Sequence, residues 1–417
     1  MAFIKLTSEN EKLSFILEKN PATQALNAAP FKRNSKMYSN FLWFENDNRV
    51  SLYAKYLNPK NTKSKFENLD FTQYTKGEVY LQLVDNLLRT ALNKDNELDT
   101  IPAQLTFTVY NHAELDYKER LPHVVKECST EYKQSTITIE APTVKKALET
   151  CCVISLITSF YDEDYYVEND QYLKYLKFAV GLTEEYSLLR QMVSFIKSDN
   201  LYDQARPFIE TTPFDIKRPR AFDARRNFYR DEMVQKTKST ELLELGCGEG
   251  NYLKSHLKQY TKVNSIEPDE EVFVDATHMV RKIKAEETIT LHNTDAMSYL
   301  NSIDTLEGID VLLTEVLEHI EYNESIAIID KVISLSPNKF LITLPNFEFN
   351  KYYGYQPDEF RHDDHLWEPN ISEFKTLVDQ LKNQYGKDYM IDDHYLGDCV
   401  KENPKNCATF AILITKS

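Results

Sequence analysis

The sequence predicts an α/β protein in two domains: a doubly wound, mainly parallel domain over residues 225–417, preceded by an α+β domain over residues 1–205. A chain of 417 residues suits two or three domains. From residue 241 onward, short apolar runs alternate with helical stretches, at residues 242–245, 263–266, 289–292, 309–313 and 340–344. This alternation is typical of a parallel sheet covered by helices. Two further apolar stretches, 394–395 and 409–415, predict an antiparallel hairpin at the sheet edge.

The N-terminal half mixes strand and helix patterns. Alternating apolar residues predict strands over residues 49–57, 104–110 and 135–140, and helical spacing predicts helices over residues 76–91, 141–159, 170–180 and 184–198. Residues 206–224, which contain Pro207, Pro213 and Pro219, are expected to form a linker, and a helix is expected over residues 223–238. None of these segments places residues at a catalytic spacing.

Composition and charge narrow the class of protein. No segment approaches the roughly 18–20 apolar residues that cross a bilayer, and the first residues lack the apolar core of a signal peptide. We therefore expect a soluble, cytoplasmic protein with no membrane partner. The six cysteines form no C-x-x-C pair, which fits a reducing compartment. The net charge of −16 argues against nonspecific coating of nucleic acid.

A basic run stands just before the predicted parallel domain. It consists of Lys217, Arg218, Arg220, Arg225, Arg226 and Arg230. One interpretation is a solvated linker helix, and the other is a hinge that contacts phosphates next to an active site.

A glycine-rich loop follows the first apolar run of the parallel domain. The residues are Glu244-Leu245-Gly246-Cys247-Gly248-Glu249-Gly250, and a helix is predicted over residues 251–259. Gly246, Gly248 and Gly250 allow a tight turn and a close approach of the backbone to a ligand, and the helix N-terminus lies directly behind it. We therefore expect Glu244 and these three glycines to form a cofactor-binding loop.

Two acidic residues follow the next two predicted strands. Glu267 stands 21 residues after Gly246, a spacing at which a carboxylate can accept hydrogen bonds from ribose hydroxyls. Asp295 follows the third strand and is expected to meet an adenine amino group. A nicotinamide enzyme is the main alternative, but the loop differs from G-x-G-x-x-G. The motif instead resembles that of class I methyltransferases, whose fold is Rossmann-like and whose cofactor is S-adenosylmethionine.

A possible metal site follows the fourth predicted strand. Glu315, Glu318 and His319 are spaced i, i+3 and i+4, so on a helix they would share one face. His362 and His365 come after the fifth strand and could supply a further ligand. Carboxylates and imidazoles suit Mn²⁺, Fe²⁺, Co²⁺ or Zn²⁺. The alternative is a solvated polar helix face with surface histidines.

Three motifs around these residues resemble a known family. The segments T-E-V-L-E-H (314–319), L-P-N-F-E-F-N (344–350) and F-R-H-D-D-H-L-W-E (360–368) are similar to the small-RNA 3′-terminal ribose 2′-O-methyltransferases, which include a bacterial RNA-repair branch. The similarity is specific over residues 225–385. Residues 13–17, 71–74 and 223–230 show a weaker similarity to the bacterial branch.

The resemblance implies a ligand set and a reaction. Glu315, Glu318 and His319 would bind a divalent metal, Mn²⁺ foremost, together with a histidine of the R-H-D-D-H run. His365 is favoured as that fourth ligand, and His362 would then be a proton acceptor. The substrate would be an RNA 3′ end with free 2′ and 3′ hydroxyls. The family reads F-E-W-T where this chain reads Leu366-Trp367-Glu368-Pro369-Asn370, so the local RNA contacts are expected to differ.

The resemblance also implies a partner. In the bacterial branch the methyltransferase works with a polynucleotide kinase–phosphatase–ligase, which the N-terminal domain would bind and activate. Two other hypotheses stay open: a metal-independent methyltransferase of small molecules, and a scaffold that recruits a repair enzyme.

Overall fold

The computed structural model describes residues 2–22, 26–33, 36–57, 77–108, 129–133, 136–159 and 168–417. The chain divides into two compact units, Met1–Thr212 (unit 1) and Pro213–Ser417 (unit 2). Among the described residues, no helix combines the length and apolar character that a bilayer span requires.

Unit 1 contains a seven-stranded antiparallel sheet. The strands are β1 (Ala2–Ser8), β2 (Leu26–Arg33), β3 (Lys36–Asn46), β4 (Arg49–Leu57), β5 (Ala103–Thr108), β6 (Ser129–Lys133) and β7 (Thr136–Ala141). Their order is β2-β3-β4-β1-β5-β7-β6, so the first strand lies at the centre. Strand β1 alternates as a half-buried strand does, and its Ala2, Ile4 and Leu6 are fully buried.

Unit 1 has two helices between its strands and four after the last strand, among the residues that the structure describes. They are α1 (Leu13–Ile16), α2 (Gly77–Asn93), α3 (Val144–Ser159), α4 (Asn169–Leu182), α5 (Tyr186–Ser194) and α6 (Asp199–Ile209). The α+β prediction for this half is confirmed. Residues 71–74, and parts of the predicted strands 104–110 and 135–140, lie outside the described residues.

Unit 2 is built on an eight-stranded mixed sheet. Its strands are β8 (Phe214–Asp215), β9 (Glu241–Leu245), β10 (Lys262–Ile266), β11 (Ile289–His292), β12 (Asp310–Thr314), β13 (Lys339–Pro345), β14 (Tyr389–Val400) and β15 (Asn403–Lys416). The order is β11-β10-β9-β12-β13-β15-β14-β8, with β9 to β13 parallel and the last three antiparallel. The doubly wound fold and the C-terminal hairpin are thus confirmed.

Helices cover the sheet of unit 2. They are α7 (Ala221–Tyr229), α8 (Leu253–His256), α9 (Glu270–Lys282), α10 (Ala296–Asn301), α11 (Tyr322–Ser334), α12 (Phe347–Tyr353) and α13 (Ile371–Tyr385). Neighbouring residues of one strand enter different apolar clusters: Leu243 packs in one and Leu242 in the other. Each face of the sheet is therefore buried, as a parallel sheet requires.

Three expectations about local structure are wrong. The expected linker, 206–224, carries regular structure: α6 continues through Pro207 to Ile209, β8 pairs with β14, and α7 begins at Ala221. The helix expected over residues 251–259 is only Leu253–His256, because a run of turns follows the glycine loop. The helix expected over residues 223–238 changes to a π-turn at Arg230–Val234.

Candidate active site

The glycine loop is fixed by backbone contacts at the end of β9. The amides of Gly246 and Cys247 donate to the carbonyl of Ile266, each at 2.9 Å. Gly246 has φ +73°, and a Cβ there would lie 2.4 Å from Cγ2 of Val316, so a larger residue would not fit. Gly248 also has a positive φ, +53°, but open space surrounds the position of its missing Cβ. Gly250 completes the loop with φ +87°.

Glu267 lies against this loop. Its Oε2 accepts a hydrogen bond from the amide of Gly248 at 2.9 Å, and its Oε1 accepts from the amide of Asp269 at 3.1 Å. The side chain therefore joins the loop to the start of α9, which Asp269 caps. The structure brings Glu267 and the glycines together, as the spacing predicted.

Asp295 follows β11 at the same sheet edge, because β11 and β10 are parallel. Its carboxylate accepts from the amide of Ser298 at 2.8 Å and caps α10. Hydrogen bonds from Ser298 lower the pKa of Asp295, so the group is an anion and an acceptor at neutral pH.

Glu244 occupies a different place from the one expected. The residue is 2% exposed and its Oε2 accepts from Oγ of Ser265 at 2.9 Å. Nε2 of His256 lies 3.0 Å from the same oxygen, and Nδ1 of His256 lies 2.7 Å from the hydroxyl of Tyr229. The carboxylate of Glu244 thus belongs to a buried polar network beneath the loop.

The segment after β12 is a turn and not the expected helix. Glu315 has φ +53°, and only Leu317–His319 forms a 3₁₀ turn. Glu315 and Glu318 therefore do not share the helix face that their i, i+3 spacing would give on a helix. Instead, Oε2 of Glu315 pairs with Nη1 of Arg225 at 3.1 Å, and its Oε1 accepts from Oγ1 of Thr343 at 3.0 Å.

Three of the predicted ligands nevertheless converge. Ligand atoms of Glu318, His319 and His365 all lie within 4.8 Å of one another. Glu318 is fully buried, and among the described residues neither of its carboxylate oxygens has a hydrogen-bond partner. Burial and, next, the charge of Glu315 raise the pKa of Glu318 well above its usual range. A buried carboxyl group without a partner is costly, so the arrangement fits a site for a cation.

His365 is held by a carboxylate that the sequence analysis assigned no role. Nδ1 of His365 lies 2.6 Å from Oε1 of Glu368. Glu368 also accepts from the Arg361 amide and from Nδ2 of Asn350, each at 2.6 Å. Burial alone would raise the pKa of Glu368, but these hydrogen bonds, from His365 first, bring it below its usual value. In metal sites a carboxylate commonly orients a histidine ligand. The D-H-x-x-E spacing of Asp364, His365 and Glu368 was the sequence signal from which this contact could have been predicted.

The other two histidines are more accessible. Nδ1 of His319 lies 3.0 Å from Oδ2 of Asp364, and burial, partly opposed by Asp364, lowers the pKa of His319. His362 is exposed, and its ring centroid lies 5.1 Å from that of His365. His362 is thus near the cluster but outside the group of converging ligand atoms.

Hydrogen bonds fix the turn that carries Glu318. The indole N–H of Trp367 donates to the carbonyls of Leu317 and Ile320, each at 2.9 Å. The amide of Leu366 donates to the carbonyl of Glu318 at 2.7 Å. Since Val316 of the same segment fills the space beside Gly246, the cluster of Glu318, His319 and His365 and the glycine loop are neighbours.

The basic run contributes one residue to the site. Arg225 is mostly buried and contacts Glu315 and Thr409. Arg226 and Arg230 pair with Asp223 and Asp231 close by in sequence, at 2.8 and 2.9 Å. These pairs fit the interpretation of a solvated helix for that part of the run, whereas Arg225 faces the cluster.

The family match of this chain coincides with unit 1. The sequence profile of the Hen1 N-terminal domain matches residues 3–212. A small RNA 2′-O-methyltransferase of Caenorhabditis elegans is 28% identical over 211 residues, which cover 46% of this chain and 44% of that protein. The chain is thus aligned with less than half of this curated relative's length.

Two solved structures resemble the whole chain. One, of the Pnkp1/Rnl/Hen1 RNA repair complex, matches with a TM-score of 0.77 at 18% identity, over 99% of this chain and 100% of the other. A second structure of the Pnkp1/Rnl/Hen1 complex matches with a TM-score of 0.74 at 18% identity, over 100% of each chain. At this identity the likeness establishes the fold.

Proposed function

Because the chain belongs to the Hen1 N-terminal domain family, we propose that it transfers the methyl group of S-adenosylmethionine to the 2′-hydroxyl of the 3′-terminal nucleotide of RNA. The observation that carries this proposal is the buried, unpartnered carboxylate of Glu318, which lies with His319 and His365 beside the glycine loop. An ordinary small-molecule methyltransferase has no need of such a cluster.

The loop residues would hold the cofactor. Gly248 offers open space for a close approach, and Glu267 presents a carboxylate that can accept from ribose hydroxyls. Asp295 would accept from the adenine amino group at the same sheet edge. Glu244 would act indirectly, by supporting the loop from below through His256 and Ser265.

Glu318, His319 and His365 would hold a divalent ion, for which we propose Mn²⁺. Such an ion supplies Lewis-acid chemistry, which lowers the pKa of a hydroxyl group beside it. Glu315 would be the fourth ligand, on giving up its ion pair with Arg225. Glu368 would fix Nδ1 of His365, so that Nε2 is the nitrogen that faces the ion.

The remaining step is removal of the proton from the 2′-hydroxyl. His362 is exposed next to His365 and would accept this proton and pass it to solvent. The 2′-oxygen then attacks the methyl carbon as the bond from that carbon to sulfur breaks. The site would hold the two reactants in register, which would supply a large part of the rate.

The test measures methyl transfer from labelled S-adenosylmethionine to three matched RNAs: one with a 3′-hydroxyl, one with a 2′-deoxy terminal nucleotide and one with a 3′-phosphate. Each reaction is run with Mn²⁺ and with a chelator. The variants are Glu318→Ala and, as a control, Glu321→Gln, which removes an exposed carboxylate close to the same turn.

We expect label on the 3′-hydroxyl RNA alone. This label should be lost with chelator and in Glu318→Ala, and it should be kept in Glu321→Gln. Methylation of the 2′-deoxy end, or activity indifferent to the chelator, would contradict the proposal. That outcome would favour a metal-independent methyltransferase. Cofactor binding without turnover on any RNA would favour the scaffold hypothesis.

We also propose that unit 1 binds and activates a polynucleotide kinase–phosphatase–ligase during RNA repair. The proposal is supported by the family match over residues 3–212 and by the fold shared with chains of the repair complex. Phe15 is 68% exposed within the segment 13–17, which suits a protein contact.

The test uses the full chain mixed with the partner ligase. Phe15→Ser should weaken complex formation and ligase activation while leaving methyl transfer unchanged. Leu98→Ser is the matched control, since Leu98 is an exposed apolar residue of the same unit. If Phe15→Ser and Leu98→Ser affect complex formation and ligase activation equally, Phe15 is not part of the interface. If the ligase has the same activity with and without this chain, the proposed activation is refuted.

A further inference from the structure

An aromatic groove of about 550 Å³ lies in unit 2, next to the metal cluster. Its walls carry four aromatic side chains: Tyr322, Phe347, Phe360 and Trp367. Tyr322 meets Trp367 edge to face with ring centroids 5.1 Å apart, and Phe347 meets Phe360 in the same way at 5.7 Å. Tyr322 is 43% exposed, so part of this aromatic surface is open to solvent.

The groove shares two residues with the support of the metal cluster. Trp367 lines it and also donates to the carbonyls of Leu317 and Ile320, which flank Glu318 and His319. Glu368 lines it and holds Nδ1 of His365. A molecule whose end lies at the cluster would therefore have its next group beside the groove.

From this placement we infer that the groove binds a nucleobase of the RNA 3′ end. The inference rests on the proposed function and adds to it the surface that binds a base of the substrate. Aromatic side chains bind unpaired bases by stacking, and this mode tolerates any sequence because every base has a π-face. The volume falls within the usual range of small-ligand pockets, about 300–1,000 Å³.

Stacking in the groove would explain how an acidic chain binds the end of an RNA. A chain with a net charge of −16 gains little affinity from general attraction to phosphates. Stacking in the groove supplies affinity without basic residues, and it places the terminal ribose at the cluster. Affinity should accordingly depend on the presence of a base and little on which base it is.

The experiment combines abasic RNAs with groove variants. Four RNAs carry a 3′-hydroxyl and are intact or abasic at the terminal, the penultimate or the sixth nucleotide from the 3′ end. Wild type is compared with Tyr322→Ala, Phe360→Ala and Tyr322→Phe. Met390→Ala is the control, because Met390 is 56% exposed in the same unit and does not line the groove. The readouts are Kd by fluorescence anisotropy, and KM and kcat for methyl transfer.

The expected result is a rise in Kd and KM for one of the two end-abasic RNAs, about 5- to 100-fold, the range that stacking of one base supplies. The position that responds identifies the base in the groove. Tyr322→Ala and Phe360→Ala should weaken binding of intact RNA and lose most of the penalty for that abasic RNA. Tyr322→Phe, Met390→Ala and the sixth-position RNA should behave like wild type and intact RNA.

The inference would be overturned if an end-abasic RNA raised Kd and KM equally in wild type, Tyr322→Ala and Phe360→Ala. It would also be overturned if these two variants bound intact RNA with the wild-type Kd. If wild type still methylates the 3′-hydroxyl RNA in that case, the groove assignment has failed and the proposed function has not. Failure of wild type to methylate any RNA refutes the function, and the anisotropy data still decide whether the groove binds a base.

Discussion

Two of the buried carboxylates close to the candidate site of unit 2, Glu244 and Glu318, have opposite surroundings. Glu244 is 2% exposed and contacts Ser265 and His256. Glu318 is fully buried, and the described residues offer no hydrogen-bond partner to either oxygen. A partnered carboxylate contributes to folding, whereas an unpartnered one destabilises the protein until a ligand binds. This contrast marks Glu318, and not Glu244, as the candidate ligand for a cation.

Replacing Glu318 should have the largest effect on activity. Glu318→Gln removes a ligand charge, so methyl transfer should fall by more than the roughly 10–100-fold typical of residues that only support a metal ligand. Glu318→Leu, which replaces the unpaired buried carboxyl group with an apolar side chain, should raise stability without metal by about 1–3 kcal/mol. Thermal unfolding provides the check: Mn²⁺ should raise the Tm of wild type and leave that of Glu318→Gln unchanged. An equal rise in the two proteins would remove Glu318 from the metal site.

Replacing Glu368 should have the next largest effect. Glu368→Gln weakens the contact at 2.6 Å that orients His365, so metal affinity and activity should fall by about 10–100-fold. Titration of the Mn²⁺ requirement distinguishes this from a direct catalytic role, since excess Mn²⁺ should restore much of the rate. Asp379→Asn is the control, because Asp379 is an exposed carboxylate of α13 and does not line the groove. A loss of kcat that Mn²⁺ does not restore would contradict the positioning role.

Glu315 should prove less sensitive than Glu318. Its oxygens already have partners in Arg225 and Thr343, so binding of an ion must break an existing pair. We expect Glu315→Gln to lower activity about tenfold, equivalent to about 1.4 kcal/mol. The measurement is kcat/KM at saturating and limiting Mn²⁺. A loss as large as that of Glu318→Gln would show that the two carboxylates are equivalent ligands.

The parallel sheet was predictable because each buried strand is a short apolar run. Residues 289–292 coincide with β11, and the other four runs lie within a residue or so of β9, β10, β12 and β13. The glycine loop and Glu267 were predictable because the turn needs those residue types at that spacing. Gly246 shows the need directly, since a side chain there would collide with Val316.

Other features depend on contacts distant in sequence, and local patterns do not reveal them. Helix α6 extends through Pro207 into the expected linker because it packs against α4 and buries Leu201, Ala205 and Ile209, which offsets the backbone hydrogen bond that the proline removes. The partners of Glu244 lie on β10 and α8, and those of Glu315 on α7 and β13. Spacing alone does not distinguish a glutamate that binds a cofactor or metal from one that is held in other contacts. Tertiary contacts decide which carboxylate is free.

The smallest effect on activity, and a large one on stability, is expected for Glu244. Glu244→Ala removes a buried carboxylate and leaves the Ser265 hydroxyl without its acceptor, so the free energy of unfolding should fall by about 1–3 kcal/mol. Urea denaturation measures this loss, and methyl transfer well below the new Tm should stay within about threefold of wild type, since an indirect support costs little once the fold is intact. The affinity for S-adenosylmethionine decides the residue's role. A drop in that affinity of tenfold or more, with stability unchanged, would return Glu244 to the cofactor site and abolish the contrast with Glu318.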